Sequence, residues 1–104
     1  MTSFERALKS RAHHLHPVVM IGDAGLTPQV LREIEVNLRS HELIKIRVLG
    51  DSDRTARRDL ISAICEVTAA SPVQQIGKML VIYRPRPPEQ IEVKQETRSK
   101  RKRK

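Results

Sequence analysis

Phe4, Leu8, Ala12 and Leu15 recur at helical spacing, while Arg6, Lys9 and His13 fall on another face. The pattern predicts an amphipathic first helix over residues 3–14, ended by Pro17. Val18-Val19-Met20-Ile21 is a continuous apolar run, which predicts a short strand buried on both faces. Thr27-Pro28 then reads as an N-cap followed by proline at the first helical position. Val30, Leu31, Ile34 and Leu38 give that second helix a core face, and it ends near His41. From 43 to 49 the period changes to two: Ile44, Ile46 and Val48 share one face, and Lys45 and Arg47 the other.

Gly50-Asp51-Ser52-Asp53 is a turn ending in capping residues. A third helix is predicted over 54–70, with Ala56, Leu60, Ala63, Ile64 and Val67 as its stripe and Arg54, Arg57 and Arg58 in its first turns. Residues 73–76 form a short strand. Gly77-Lys78 suits a two-residue hairpin with glycine first, and 79–83 is an apolar strand central in the sheet. The order is helix, strand, helix, strand, helix, strand, strand. The expected fold is α/β (α+β-like), a four-stranded mixed sheet with three helices packed on it.

Composition sharpens this picture. The 104 residues suit one domain. The formal net charge is +8 and the pI about 10.4, which points to a polyanionic partner. Residues 84–104 hold nine basic and three acidic residues, +6; residues 1–83 hold eleven and nine, +2. Any basic face on the folded body must therefore come from segregated charge. Residues 87–104 are polar and end in Lys100, Arg101, Lys102, Arg103 and Lys104, so a disordered basic tail is expected after a domain spanning 1–86. Phe4 and Tyr83 are the only aromatic residues. Base-stacking platforms built from several aromatics are thus excluded, and nucleic-acid binding should work through backbone and shape. A single cysteine, no long apolar run and no signal-peptide pattern lead to the expectation of a cytoplasmic, membrane-free protein.

Gly22-x-x-Gly25 lies between a strand and a helix start. Glycines let the backbone turn and present N–H groups, to which the helix N-terminus adds its own amides and positive dipole end. The result suits a phosphate or a close-packed nucleic-acid backbone. It also suits an ordinary tight turn, and Asp23 would repel a phosphate or cap nearby amides. Other patterns carry less chemistry. His13, His14 and His16 match no ligand spacing, so no metal is expected. Cys65 reads as a buried structural thiol. No nucleophile elbow or P-loop is present, and neither an enzyme nor a cofactor is indicated.

Several separate motifs resemble one family. They are Leu8-Lys9, Ala12-His13, Pro17-Val18-Val19 and Gly22-x-x-Gly25-Leu26-Thr27, then His41-Glu42-Leu43-Ile44-Lys45-Ile46 and Ile76-Gly77-Lys78-x-Leu80-Val81-x-Tyr83-Arg84. In this order they resemble the CRM domain in its bacterial stand-alone, YhbY-type form. The resemblance covers about residues 3–86. It implies a fold related to the C-terminal domain of translation initiation factor three. It also implies RNA binding, with ribosomal RNA in precursor large-subunit particles as the partner. The family's RNA contact is the GxxG loop with basic neighbours, here Gly22, Asp23, Ala24 and Gly25. An acidic Asp23 departs from the residues expected there.

The expected RNA-binding set is therefore this loop with Lys9, Arg6, His13, Lys45, Arg47, Lys78 and Arg84, and Lys100 to Lys104 as electrostatic contacts from the tail. Lys9 falls inside the resemblance. The bland alternatives are solvated faces, or pairing of Lys45 and Arg47 with Glu33 and Glu35. A protein-interaction module with a non-specific basic tail is the alternative function. A monomer is expected, since no apolar stripe is left over.

Overall fold

The computed structural model describes residues 2–85. Its elements follow the expected order: α1 (Ser3–Ala12), β1 (Val19–Ile21), α2 (Pro28–His41), β2 (Leu43–Val48), α3 (Arg54–Thr68), β3 (Ser71–Ile76) and β4 (Met79–Tyr83). The expected tail, 87–104, lies outside the described residues. Each helix starts at a side-chain cap. Thr2 and Glu5 form a reciprocal capping box, Thr27 Oγ1 accepts from the Val30 amide at 3.1 Å, and Asp53 Oδ1 accepts from the Ala56 amide at 2.7 Å.

The strands lie in the order β1-β2-β4-β3. β1 and β2 are parallel, joined through α2, and β4 runs antiparallel to both β2 and β3. The sheet is mixed, with β4 central as expected. Gly77 has φ +55 and Lys78 a negative φ, the sign pattern of a II′ hairpin turn. β3 is an edge strand, which is how it tolerates Pro72 and a bulge between Pro72 and Gln74. It starts at Ser71, two residues earlier than expected.

The two sheet faces are covered unequally. Ile44, Ile46 and Val48, with Val19, Ile21, Leu80 and Ile82, pack under α2 and α3 in the main core. On the opposite face a smaller core joins Leu8 and Ala12 of α1 to Leu43 and Val81, with Leu15, Val73 and Tyr83 against it. α1 ends at Ala12, and so covers only one end of that face. This corrects one expectation. β1 is not buried on both faces: Val19 and Ile21 are buried, but Val18 and Met20 are exposed. The run is apolar throughout, yet among the described residues no helix packs over its second side.

α3 also differs in register. Its buried residues are Ile61, Ile64, Cys65 and Thr68; of the expected stripe Ile64 is buried and Leu60 packs partly against the core, but Ala56 and Val67 are exposed. Thr68 can be buried because its hydroxyl donates to the Ile64 carbonyl at 2.8 Å. Cys65 is buried as expected, and burial pushes its thiol up to about 11. No helix among the described residues is long and apolar enough to cross a membrane.

Candidate nucleic-acid interface

The strand directions place three connections at one end of the sheet. They are Gly22–Gly25 after β1, Gly50–Asp53 after β2, and the Gly77-Lys78 hairpin. The Leu49 amide donates to the Ile21 carbonyl at 2.8 Å, and the Val48 amide to the Lys78 carbonyl at 2.8 Å. These bonds fix the three connections to one another.

Within the first, the Gly25 amide donates to the Gly22 carbonyl at 3.0 Å, closing a four-residue turn. That bond leaves the amides of the two central residues, Asp23 and Ala24, unused by the turn. Gly25 has φ +74, which favours glycine for backbone reasons alone. Gly22 is different. Its φ is negative, and a Cβ there would meet nothing within 4 Å. Nothing among the described residues requires glycine at 22. α2 begins just beyond, with no acidic residue in its first turn to offset the helix dipole.

Asp23 does not cap α2, which Thr27 does. Its carboxylate lies over Gly50, where an added Cβ would stand 3.0 Å from Asp23 Oδ1. The turn borders a cleft of about 220 Å³ shared with Asp51, Ser52 and Arg57. Arg57 donates to the Ser52 carbonyl, and its Nε is buried without a partner among the described residues. The sequence pattern places Arg57 in the first turns of α3 but does not connect it to the glycine turn. The only available signal is its position just after the second turn.

The other expected residues divide. Lys78 sits at the glycine-turn end of the sheet. Arg47 and Lys45 project from β2 on the α1 side, and His13, the C-cap of α1, shares a cleft with Lys45. Lys9 instead lines a cleft with Ser71, Pro72 and Tyr83, at the far end of the strands. Arg6 is close to that end too, since nearby Phe4 packs edge-on against Tyr83 at 5.5 Å. α1 therefore does not carry Arg6 and Lys9 to the loop.

Arg84 serves the fold. Its guanidinium binds Glu35 through two nitrogens, each at 2.9 Å, and donates to the Thr68 carbonyl at 3.0 Å. Arg39 also reaches Glu35, at 3.0 Å. The Arg84 hydrogen bond and charge, aided by Arg39, hold the Glu35 carboxyl below its ordinary range despite an opposing burial effect. Glu35 thus pairs with Arg84 and Arg39, not with Lys45 or Arg47. Lys100, Arg101, Lys102, Arg103 and Lys104 lie outside the described residues. Among the described residues no cluster of three or more metal-ligating side chains occurs.

The pattern of the CRS1/YhbY (CRM) domain matches residues 2–84. The chain belongs to the CRM domain family. An RNA-binding protein of Haemophilus influenzae is 52% identical to this CRM chain over 84 residues, covering 81% of it and 84% of the relative. A protein of Pseudomonas aeruginosa named a probable RNA-binding protein is 42% identical over 83 residues, covering 80% and 79%. Among solved structures, a hypothetical protein of Staphylococcus aureus described as a candidate RNA binder matches the CRM fold with a TM-score of 0.71. It is 35% identical, and the match covers 80% of this chain and 85% of that one.

Proposed function

We propose that this CRM domain binds RNA, with a backbone phosphate seated on the Gly22–Gly25 turn and the start of α2, and that it acts without catalysis. Gly22 carries this reading. The fold leaves room for a side chain there and imposes no left-handed backbone, so a glycine makes sense where a ligand backbone must approach closely. Membership of the CRM family and the RNA-binding names of the relatives support it. We further propose a monomer acting in the cytoplasm on precursor large ribosomal subunits, in line with the family resemblance.

Gly22→Ala is the direct test. Stability to urea should change by less than about 0.5 kcal/mol, as for surface substitutions free of strain, while affinity for RNA falls. Unchanged affinity would remove the turn from the binding site. Crosslinking in cells followed by sequencing of the RNA is expected to recover large-subunit ribosomal RNA. Sedimentation should place the protein with precursor large subunits, and its confinement to free fractions at low salt would defeat the assembly role. Removing residues 97–104 should flatten the log–log salt slope by roughly 0.7–0.9 for each phosphate the tail had neutralised, without changing which RNA is preferred.

A further inference from the structure

The part of the sheet that α1 leaves bare has an ordered composition. One row of neighbouring residues crosses all four strands: Met20 beside Arg47, Arg47 beside Met79, and Met79 beside Ile76. The next row toward α1 places Lys45 beside Val81 and Val81 beside Gln74, with the Val18 amide bonded to the Lys45 carbonyl at 3.0 Å. Met20 and Ile76 are 52% and 51% exposed, and Val18 45%. Single exposed apolar side chains are ordinary, but apolar positions aligned across a sheet mark a contact surface.

Charge is segregated along the border of this surface. Lys45 borders two open clefts. One, of about 420 Å³, carries Arg11, His14, His16 and His41; the other, of about 220 Å³, carries His13. Among the described residues neither is lined by a carboxylate. The cleft at the glycine turn contains two, Asp23 and Asp51. A body of nearly balanced charge has thus gathered cations and imidazoles around Lys45, on the open face and at the end of the sheet where α2 meets β2. The anion site at the turn relies on backbone amides instead.

The two regions are continuous. Met20 precedes Ile21 and Gly22, Arg47 precedes Val48 and Leu49, and Lys78 stands at the same end of the sheet. Arg47 and Lys45 are about 6.6 Å apart along β2, a spacing on the scale of successive phosphates in an extended strand. Guanidinium planes, thioethers and methyl groups can receive base faces without aromatic residues. A duplex keeps its base faces stacked inside and cannot use such a row.

We propose that single-stranded RNA runs from the glycine turn across this row, its phosphates on Arg47 and Lys45 and its bases against Met20, Met79 and Ile76. This rests on the RNA-binding reading above and adds the face and the form of RNA.

The chain has three methionines, two of them on this row, so their labelled methyl groups are direct reporters. Titrating the full chain with a mixed-sequence single-stranded RNA oligonucleotide is expected to shift both Met20 and Met79. The double variant Lys45→Ala/Arg47→Ala should bind that RNA on the order of tenfold more weakly. Its salt slope should fall by about 1.4, two phosphates at roughly 0.7 each on single strands. Binding of a hairpin duplex should change less. The charge-retaining variant Lys45→Arg/Arg47→Lys should recover most of the affinity, which separates binding from any folding defect.

Unmoved Met79 with an unaffected double variant would overturn the proposal. RNA binding itself would survive that result if Gly22→Ala still weakened it. If the wild-type chain bound neither RNA form, the RNA reading would fall and this proposal with it. A double variant that kept its RNA affinity but lost an acidic protein partner would overturn the proposal in favour of protein docking.

Discussion

Along β2, alternate residues meet opposite surroundings. Ile44, Ile46 and Val48 vanish under α2 and α3, while Arg47 stands in solvent and Lys45 stays half-buried beside open clefts. The covered face is closed by packing and held at its edge by the ion pair of Glu35 and Arg84. The open face has a small core at one end only, and among the described residues its remainder is cationic and apolar without carboxylates in the clefts. One alternating strand therefore supplies both stability and the proposed contact surface. Residues on one face can change with little effect on what the other does.

The largest test of this division is Ile46→Ala. Ile46 is fully buried at the centre of the sheet, and losing its side chain should cost roughly 2–5 kcal/mol. Urea unfolding measures this directly. Arg47→Ala, one residue on, should cost less than about 0.5 kcal/mol. Comparable losses at both positions would show that the open face is in fact packed in solution.

Next in size is the ion pair that fastens β4 to α2 and to the end of α3. Glu35→Gln should destabilise the domain by roughly 1–2 kcal/mol at neutral pH, below the loss for a fully buried pair because the carboxylate stays partly in solvent. The pH dependence has a definite sign. The carboxyl of Glu35 titrates lower when folded than its ordinary value of 4.5. Its contribution is therefore complete above that value and lost as pH falls through the lowered one. The glutamine variant should lose less stability than the wild type on acidification through this range. Parallel acid profiles for the two proteins would show that the pair contributes nothing on the covered face.

Local signals were legible in the sequence. Thr27-Pro28, Asp53 and Gly77-Lys78 each act within a few residues, and each does in the structure what its chemistry dictates. The family motifs were legible for the same reason. What failed depended on long-range placement. In α3, apolar residues at 60, 61, 63, 64, 65 and 67 support two overlapping stripes, and only docking on the sheet chooses Ile61, Ile64, Cys65 and Thr68. The open side of β1 depends on where α1 stops, on another part of the sheet. Arg84 looked available for RNA because its partner is 49 residues away. Lys9 and Arg6 looked close to the glycine turn because α1 precedes β1 in the chain, but α1 lies over the far ends of the strands.

A smaller effect tests a helix end beside the covered face. Ala69, the C-cap of α3, has φ 59 in the left-handed region, and the next amide, that of Ala70, donates to the Cys65 carbonyl at 3.1 Å. Alanine is strained there and glycine is not. Ala69→Gly should stabilise the domain by about 0.5–1 kcal/mol, the relieved left-handed strain less the added freedom of the unfolded chain, read as a raised urea midpoint with an unchanged slope. A loss of stability would mean that the unfolded chain's added freedom outweighs the relieved strain.

The smallest effect, that of Met20→Ala, is read against its buried neighbour on the same strand. Val19 is 1% exposed and Met20 52%. Methionine is the larger side chain, so a count of deleted methylenes alone would make Met20→Ala the more damaging change. The two faces reverse that order. Val19→Ala removes buried groups and leaves a cavity, and should cost about 1–3 kcal/mol. Met20→Ala removes groups already largely in water, and should stay within about 0.5 kcal/mol. Both can be measured by urea unfolding of the full chain without RNA. If Met20→Ala proved as costly as Val19→Ala, the side chain would be packed against something on the open face, and the row from Met20 to Ile76 could not be free to receive a ligand.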